Sequence, residues 1–194
     1  MQPLTLTCHH STPCPVIRQF AVCVSRAAHG ELSLVYRVEG ETARLRLPES
    51  RPPRRADELW RHTCFEAFIK AGKDAGYHEL NFAPSGDWAC YRFDAYRDGM
   101  ADAPVVHAPR LDLRQEARQL ILEARLNLND LSASLGDADL RLGLSAVMEA
   151  EDGDISFWAL AHPPGRPDFH HAAGFALALP LPDPAQTPPT RKQQ

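Results

Sequence analysis

Residues 60–99 constrain the chain most. Three short runs, 63–69, Tyr77–Phe82 and Trp88–Phe93, each alternate in side-chain character, and two turn-like stretches separate them. Gly72–Gly76 (GKDAG) and Pro84-Ser85-Gly86-Asp87 carry the glycine, proline and aspartate that tight connections require. A period of two bounded by such turns predicts three consecutive antiparallel strands. Parity then assigns faces, because successive side chains in a strand point to opposite sides. Aligning the apolar sides puts Phe65, Ile69, Leu80, Phe82, Tyr91 and Phe93 on a core face. The other face gathers Glu66, Glu79, Asn81, Trp88 and Arg92, with Tyr77 and Phe68 beside them. Aromatic rings next to a carboxylate, an amide and a guanidinium offer stacking plus directed hydrogen bonds, which suits a polar ligand such as a sugar. A cross-strand ion pair between Glu79 and Arg92 is the competing, purely structural reading.

The same pattern recurs along the chain. Residues 17–25, 32–38, 43–47, Leu140–Glu149 and 155–160 read as strands, and 110–127 reads as a strand pair broken near Gln115-Glu116. Residues 32–38 and 43–47 are expected to form a hairpin about Gly40, and short strands are expected near Val105 and at 175–179. Residues 48–56, with three arginines, read as a solvated loop, and 129–136 as one helical turn. Roughly ten short strands with turns between them predict an all-β fold, an antiparallel β-sandwich of immunoglobulin-like or jelly-roll-like type. A mixed α+β fold, with longer helices at 56–62 and 129–136, is the alternative. Residues 1–180 are expected to form a single domain, and 181–194 a Pro-rich flexible C-terminal tail.

Charge and cysteine usage narrow the function classes. Lys plus Arg number 21 against 25 Asp plus Glu, a net charge of −4. That balance gives no electrostatic ground for nucleic acid or an anionic membrane as partner, so a small-molecule or carbohydrate ligand is expected instead. No apolar run approaches the roughly 20 residues of a membrane span. Five cysteines without a CxxC, and an N-terminal stretch without signal-peptide character, predict reduced thiols and a cytoplasmic location.

Catalytic and metal motifs are sparse. There is no Walker loop, GxGxxG, GxSxG or HExxH. Cys8, His9, His10 and Cys14 do not match a zinc spacing, so no metal site is predicted. Residues 162–171 (HPPGRPDFHH) pack three His, one Asp and three Pro into ten positions, so a proline-restrained loop presents Asp168 and His170 as a candidate acid/base pair. Glu66 and Glu79 form a carboxylate pair of the kind glycoside hydrolysis uses. Arg92 on their face would hold them ionised, which disfavours a general acid. Trp60 precedes the first strand of the block, and Trp158 lies in a strand with Ser156 on its side; each is a candidate for ligand contact.

The blocks LWRHTCFEAFI, GYHELNFAPSGDWACYRFDAYRDGM and FWALAHPPGRPDFHH resemble the bacterial DOMON-like domain proteins, relatives of the family-nine carbohydrate-binding modules. The resemblance spans residues 15–180 approximately and implies a β-sandwich holding ligands against one sheet or at its rim, the ligands being sugars or haem. By position it implies Trp60 and Glu66 from the first block, and Tyr77, Glu79, Asn81, Trp88 and Arg92 from the second. The third block contributes Asp168 and His170. The expected function is therefore non-catalytic binding of a carbohydrate or sugar-containing metabolite, with no cofactor. The alternatives are a haem-binding or electron-transfer domain, drawing axial ligands from Met100, Met148, His162, His170 and His171, and an enzyme using Asp168 and His170.

Overall fold

The computed structural model describes residues 2–182, so most of the expected tail at 181–194 lies outside the described residues. It contains thirteen strands: β1 (Leu4–Thr5), β2 (Thr7–Cys8), β3 (Ile17–Arg26), β4 (Glu31–Gly40), β5 (Cys64–Ala71), β6 (Tyr77–Phe82), β7 (Trp88–Phe93), β8 (Ala101–Asp102), β9 (Arg110–Glu116), β10 (Gln119–Asn127), β11 (Leu140–Glu149), β12 (Ile155–Ala159) and β13 (Leu177–Leu179). One helical turn, α1, covers Ala133–Gly136. The strands form two antiparallel sheets. The smaller runs β1-β3-β4-β10-β9, and the larger runs β2-β12-β11-β5-β6-β7-β8. Strands β12 and β13 share one edge of β11, against residues 145–149 and 140–142 respectively.

The two sheets form a sandwich. Alternate residues of β3, β4 and β10, including Phe20, Val22, Leu34, Tyr36 and Leu122, meet Phe65, Ile69, Leu80, Phe82 and Leu144 of the larger sheet in one apolar core. Phe20, Tyr36 and Phe65 are fully buried, with ring centroids 5.2–6.4 Å apart. Each such side chain contributes about 1.5–3 kcal/mol by burial. Tyr36 also crosses the core: its hydroxyl donates to the Glu66 carbonyl at 2.7 Å and ties β4 to the backbone of β5.

The larger sheet is covered on its outer side as well. Phe68, Tyr77, Ala89, Tyr91, Phe93 and Phe175 form a second apolar cluster there, with Leu59, Trp60 and Phe169 packed on it. This double cover explains why five of the six residues of β7 are buried. It also overturns the expected faces of that strand. Phe82 pairs with Trp88 and Leu80 with Cys90, whereas Glu79 pairs with Tyr91 and Tyr77 with Phe93. Tyr91 and Phe93 therefore share the face of Glu66 and Glu79, and Trp88 and Arg92 belong to the opposite one. Apolarity cannot choose between two faces that are both dry.

Four local expectations are also corrected. Residues 43–47 do not form a strand; Thr42–Arg44 is a 3-10 turn and Leu45 makes an isolated bridge to Ala150. The partners of β4 are β3 and β10, so the predicted hairpin about Gly40 is replaced by one about residues 27–30. The short strand expected near Val105 lies at Ala101–Asp102 instead. In the loop 48–56, Arg55 is not solvated. Its guanidinium donates to the carbonyls of Cys90 (2.6 Å) and Ala103 (3.0 Å), tying the loop to β7 and to the residue after β8. Arg51 pairs with the buried Asp87.

Candidate functional site

Glu66 on β5 and Glu79 on β6 lie on the outer face of the larger sheet, in neighbouring rows: Glu66 is opposite Asn81, and Phe68 is opposite Glu79. A cleft of about 330 Å³ opens above them. Its floor is Glu66, Phe68, Glu79, Phe93, Val147 and Phe157. Its walls come from three connections. The turn Leu59–Arg61 supplies Trp60, the turn after β7 supplies Arg97 and Met100, and the loop before residue 171 supplies Pro167, Phe169 and His170.

The two carboxyl groups are nearly closed off, at 2% exposure for Glu66 and 5% for Glu79. Asn81 donates to Glu79 Oε1 at 2.8 Å, and His170 Nε2 stands 3.6 Å from Glu79 Oε2. Glu66 is less well served. Its Oε2 accepts a long bond from Ser145 Oγ (3.4 Å), and its Oε1 is buried with no hydrogen-bond partner among the described residues. Burial, then the neighbouring Glu79, push the Glu66 carboxyl well above the usual carboxylate range. Burial raises Glu79 too, opposed by its bond from Asn81 and by the Arg97 charge. The pair is thus held toward its protonated forms.

The histidine beside it does not supply a positive charge. Burial, then the Arg97 charge, lower His170 to about 4. The Tyr77 hydroxyl lies 2.8 Å from His170 Nδ1, which leaves Nε2 directed at Glu79. Arg97 is already paired: its guanidinium donates to Asp168 Oδ1 at 2.8 Å and its backbone N–H to the Tyr77 hydroxyl at 3.2 Å. Tyr96 donates to the other Asp168 oxygen at 2.6 Å. Burial raises the Asp168 carboxyl, but these bonds outweigh it and hold the group below its ordinary value. Arg97 adopts a left-handed backbone (φ 52°) at this junction, and such strain is held only where surrounding contacts fix it.

Of the residues singled out in the sequence, Trp60, Glu66, Glu79 and His170 line the cleft. Tyr77, Asn81 and Asp168 stand behind them as hydrogen-bond partners. Trp88 and Trp158 pack in the core between the sheets, and the Trp158 indole donates to Ser156 Oγ at 3.0 Å. Arg92 points away from the cleft and pairs with Asp94 at 3.1 Å. The carboxylates therefore lie apart from the arginine thought to share their face. Asp168 and His170 meet only through the His170 backbone N–H (3.1 Å), so their side chains do not form an acid/base dyad. Sequence reasoning passed over Arg97, Phe157 and Phe169, and named Met100 only as a candidate haem ligand. Arg97 falls within the informative 60–99 stretch and Met100 just after it, but nothing in their spacing marks them as wall residues.

The histidines and methionines considered for haem are dispersed or engaged. Met148 is fully buried in the inter-sheet core, and His162 Nε2 bonds the Thr7 carbonyl at 2.9 Å. Both nitrogens of His170 face protein partners, so although Met100 lines the same cleft, the residues present do not fit a His–Met axial pair there. Among the described residues no group of three or more His, Cys, Asp or Glu is placed to hold a metal ion.

No protein-family model matches the chain. No curated protein matches it either. Among solved structures it is similar to a candidate carbohydrate-binding protein from Bacteroides uniformis, with a TM-score of 0.62 over 93% of this chain and 84% of that one. The two share 16% identity, so the likeness is one of fold, a two-sheet β-sandwich.

Proposed function

We propose that the chain is a non-catalytic binding protein for a carbohydrate or sugar-containing metabolite, seated in the cleft over Glu66 and Glu79. One observation carries the reading: two buried carboxyl groups, one with an unpartnered oxygen, form the floor of a cleft whose remaining lining is largely aromatic. Few, fixed polar groups within apolar walls are what orient a small polar ligand. Trp60 and Phe169 offer ring surface for the apolar faces of a sugar, and the carboxyl groups offer hydrogen bonds to its substituents. The carbohydrate-binding description of the Bacteroides uniformis protein agrees with this reading.

Binding without turnover is favoured by where the carboxyl groups come from. Glycoside hydrolysis places two of them on either side of the scissile bond. Glu66 and Glu79 stand on adjacent strands of one sheet face and approach a ligand from the same side. This replaces the argument from Arg92, which is not on their face.

The test is a panel of mono- and disaccharides and sugar nucleotides titrated into the protein, followed by calorimetry and tryptophan fluorescence. Saturable heats are expected, with a fluorescence change that disappears in Trp60→Phe, because Trp88 and Trp158 lie in the core. No heat and no fluorescence change across the panel would overturn the proposal.

A further inference from the structure

Among the described residues no Lys or Arg forms an ion pair with Glu66 or Glu79, and the Arg97 charge opposes only part of what burial does to Glu79. Cys64 and Glu66 from β5, Tyr77, Glu79 and Asn81 from β6, Tyr91 from β7 and Ser145 from β11 all face this region, and none of them carries positive charge. The loops bring Asp168, Arg97 and His170. Arg97 is held by Asp168, and His170 is neutral at physiological pH, bonded to Tyr77. Two carboxyl groups share a buried floor, and Glu66 Oε1, on a residue only 2% exposed, has no hydrogen-bond partner among the described residues. Phe68 and Phe93 share the floor with them, and Trp60 and Phe169 stand in the walls above. Aromatic faces attract cations, most strongly where water is excluded.

We propose that the ligand carries a protonated amino group, as an amino sugar does, and that this ammonium seats against Glu66 and Glu79 beneath the aromatic walls. The inference rests on the sugar-binding reading above and names the ligand class for the same cleft. It fits the donor count as well. An ammonium has three N–H donors and no acceptor, matching an orphaned carboxyl oxygen beside a second carboxyl group. A neutral hydroxyl would hydrogen-bond one oxygen but leave the pair unable to ionise together.

Binding then has a proton balance. The empty pair retains protons that the buried carboxyl groups cannot release without a cation. When the ammonium docks, a carboxyl proton leaves to solvent and an ammonium–carboxylate pair forms in its place. Affinity therefore rises with pH, by up to tenfold per unit for each proton released, until the pair is ionised without ligand or the amine itself loses its proton.

The experiment is calorimetric titration of the full chain with glucosamine, glucose, N-acetylglucosamine and cyclohexylamine at pH 5.5, 6.5 and 7.5, in two buffers of different ionisation enthalpy. Glucosamine is expected to bind at least tenfold more tightly than glucose or N-acetylglucosamine. Its heat should depend on the buffer, and its affinity should rise between pH 5.5 and 6.5. Glu66→Gln is expected to abolish the preference while retaining the parent circular dichroism spectrum, and Glu79→Gln provides a second variant should the first fail to fold. Equal binding of glucose and glucosamine would overturn the amine inference and leave the sugar reading standing. Binding of cyclohexylamine, with none of the three sugars, would keep the ammonium seat and overturn the sugar reading. A preference for glucosamine that survives in both variants would overturn the assignment of the seat to these carboxyl groups.

Discussion

Replacing Glu66 by Gln isolates the cost of its buried carboxyl group, and linkage gives the sign. The native carboxyl is raised well above the usual range by burial and by Glu79, whereas in the unfolded chain it titrates at about 4.3. Between those two values the native state holds a proton that the unfolded state has lost. Stability then falls as pH rises, by about 1.4 kcal/mol per pH unit for one proton. Glutamine mimics the protonated acid in shape and cannot ionise, so its contribution is flat. The variant should therefore gain on the parent as pH rises, by up to about 1.4 kcal/mol per unit, until the native pKa is passed.

His170 acts in the opposite direction below its unfolded pKa, so the window has to be chosen around it. Its native value of about 4 makes stability rise with pH between about 4 and about 6.5. Measuring the difference between variant and parent from pH 6.5 to 8.5 removes that contribution. Each pH unit over which the native group keeps its proton adds up to about 1.4 kcal/mol to the variant's gain. With a urea dependence of about 1–3 kcal/mol per molar, each such unit moves the unfolding midpoint by up to about 0.5–1.4 M. Urea melts of both proteins at four pH values are the assay. A difference that stays constant with pH, or that moves against the variant, would refute a protonated Glu66 and with it the uncompensated pair.

Three further perturbations test other parts of the structure. Phe20 is fully buried against Tyr36, Phe65 and Trp158, so Phe20→Ala should cost about 3–5 kcal/mol in urea unfolding, and a loss below about 1 kcal/mol would contradict the inter-sheet core. The His170 ring resonances, followed by NMR, should titrate near 4, while a midpoint near 6.5 would show an open, hydrated imidazole. A β-carbon added at Gly40 would lie 2.1 Å from the Val16 carbonyl oxygen, so Gly40→Ala should destabilise by about 1–3 kcal/mol, and a neutral effect would place β3 and β4 in a different register there.

How much of the fold was legible depends on how each strand is buried. The alternation of β10, with Leu120, Leu122 and Ala124 inward and Glu123 and Arg125 outward, gives the strand and its face together, because one side meets the core and the other water. Strands β6 and β7 were delimited to the residue, since glycine and proline turns bound them. The segment 43–47 alternates equally well and is not a strand. Leu45 and Leu47 turn inward there to pack on the core, and one bridge to Ala150 takes the place of a ladder. Alternation reports which side chains are buried, and a chain crossing the end of a sandwich can satisfy it without pairing.

The two carboxyl groups of the candidate cleft were legible in the sequence, and its charge was not. Glu66, Asn81 and Glu79 were assigned to one face correctly because β5 and β6 differ in polarity between their two sides. Strand β7 does not: Trp88 and Cys90 face the sheet-on-sheet core, while Ala89, Tyr91 and Phe93 face the second cluster. With no polar side to reject, the choice of face fell to the lone charge, Arg92, which sits at the strand's exposed end and pairs locally with Asp94. That single inversion reverses the electrostatics of the cleft. An arginine among the carboxyl groups would have made a self-neutralised cluster with ionised acids, needing nothing from a ligand. Its departure leaves Arg97 as the nearest guanidinium, already committed to Asp168, and two acids that cannot both ionise unaided. The register of one strand, fixed by a five-residue turn and invisible to hydrophobic pattern, thus decides whether this floor is a finished ion-pair network or half of one.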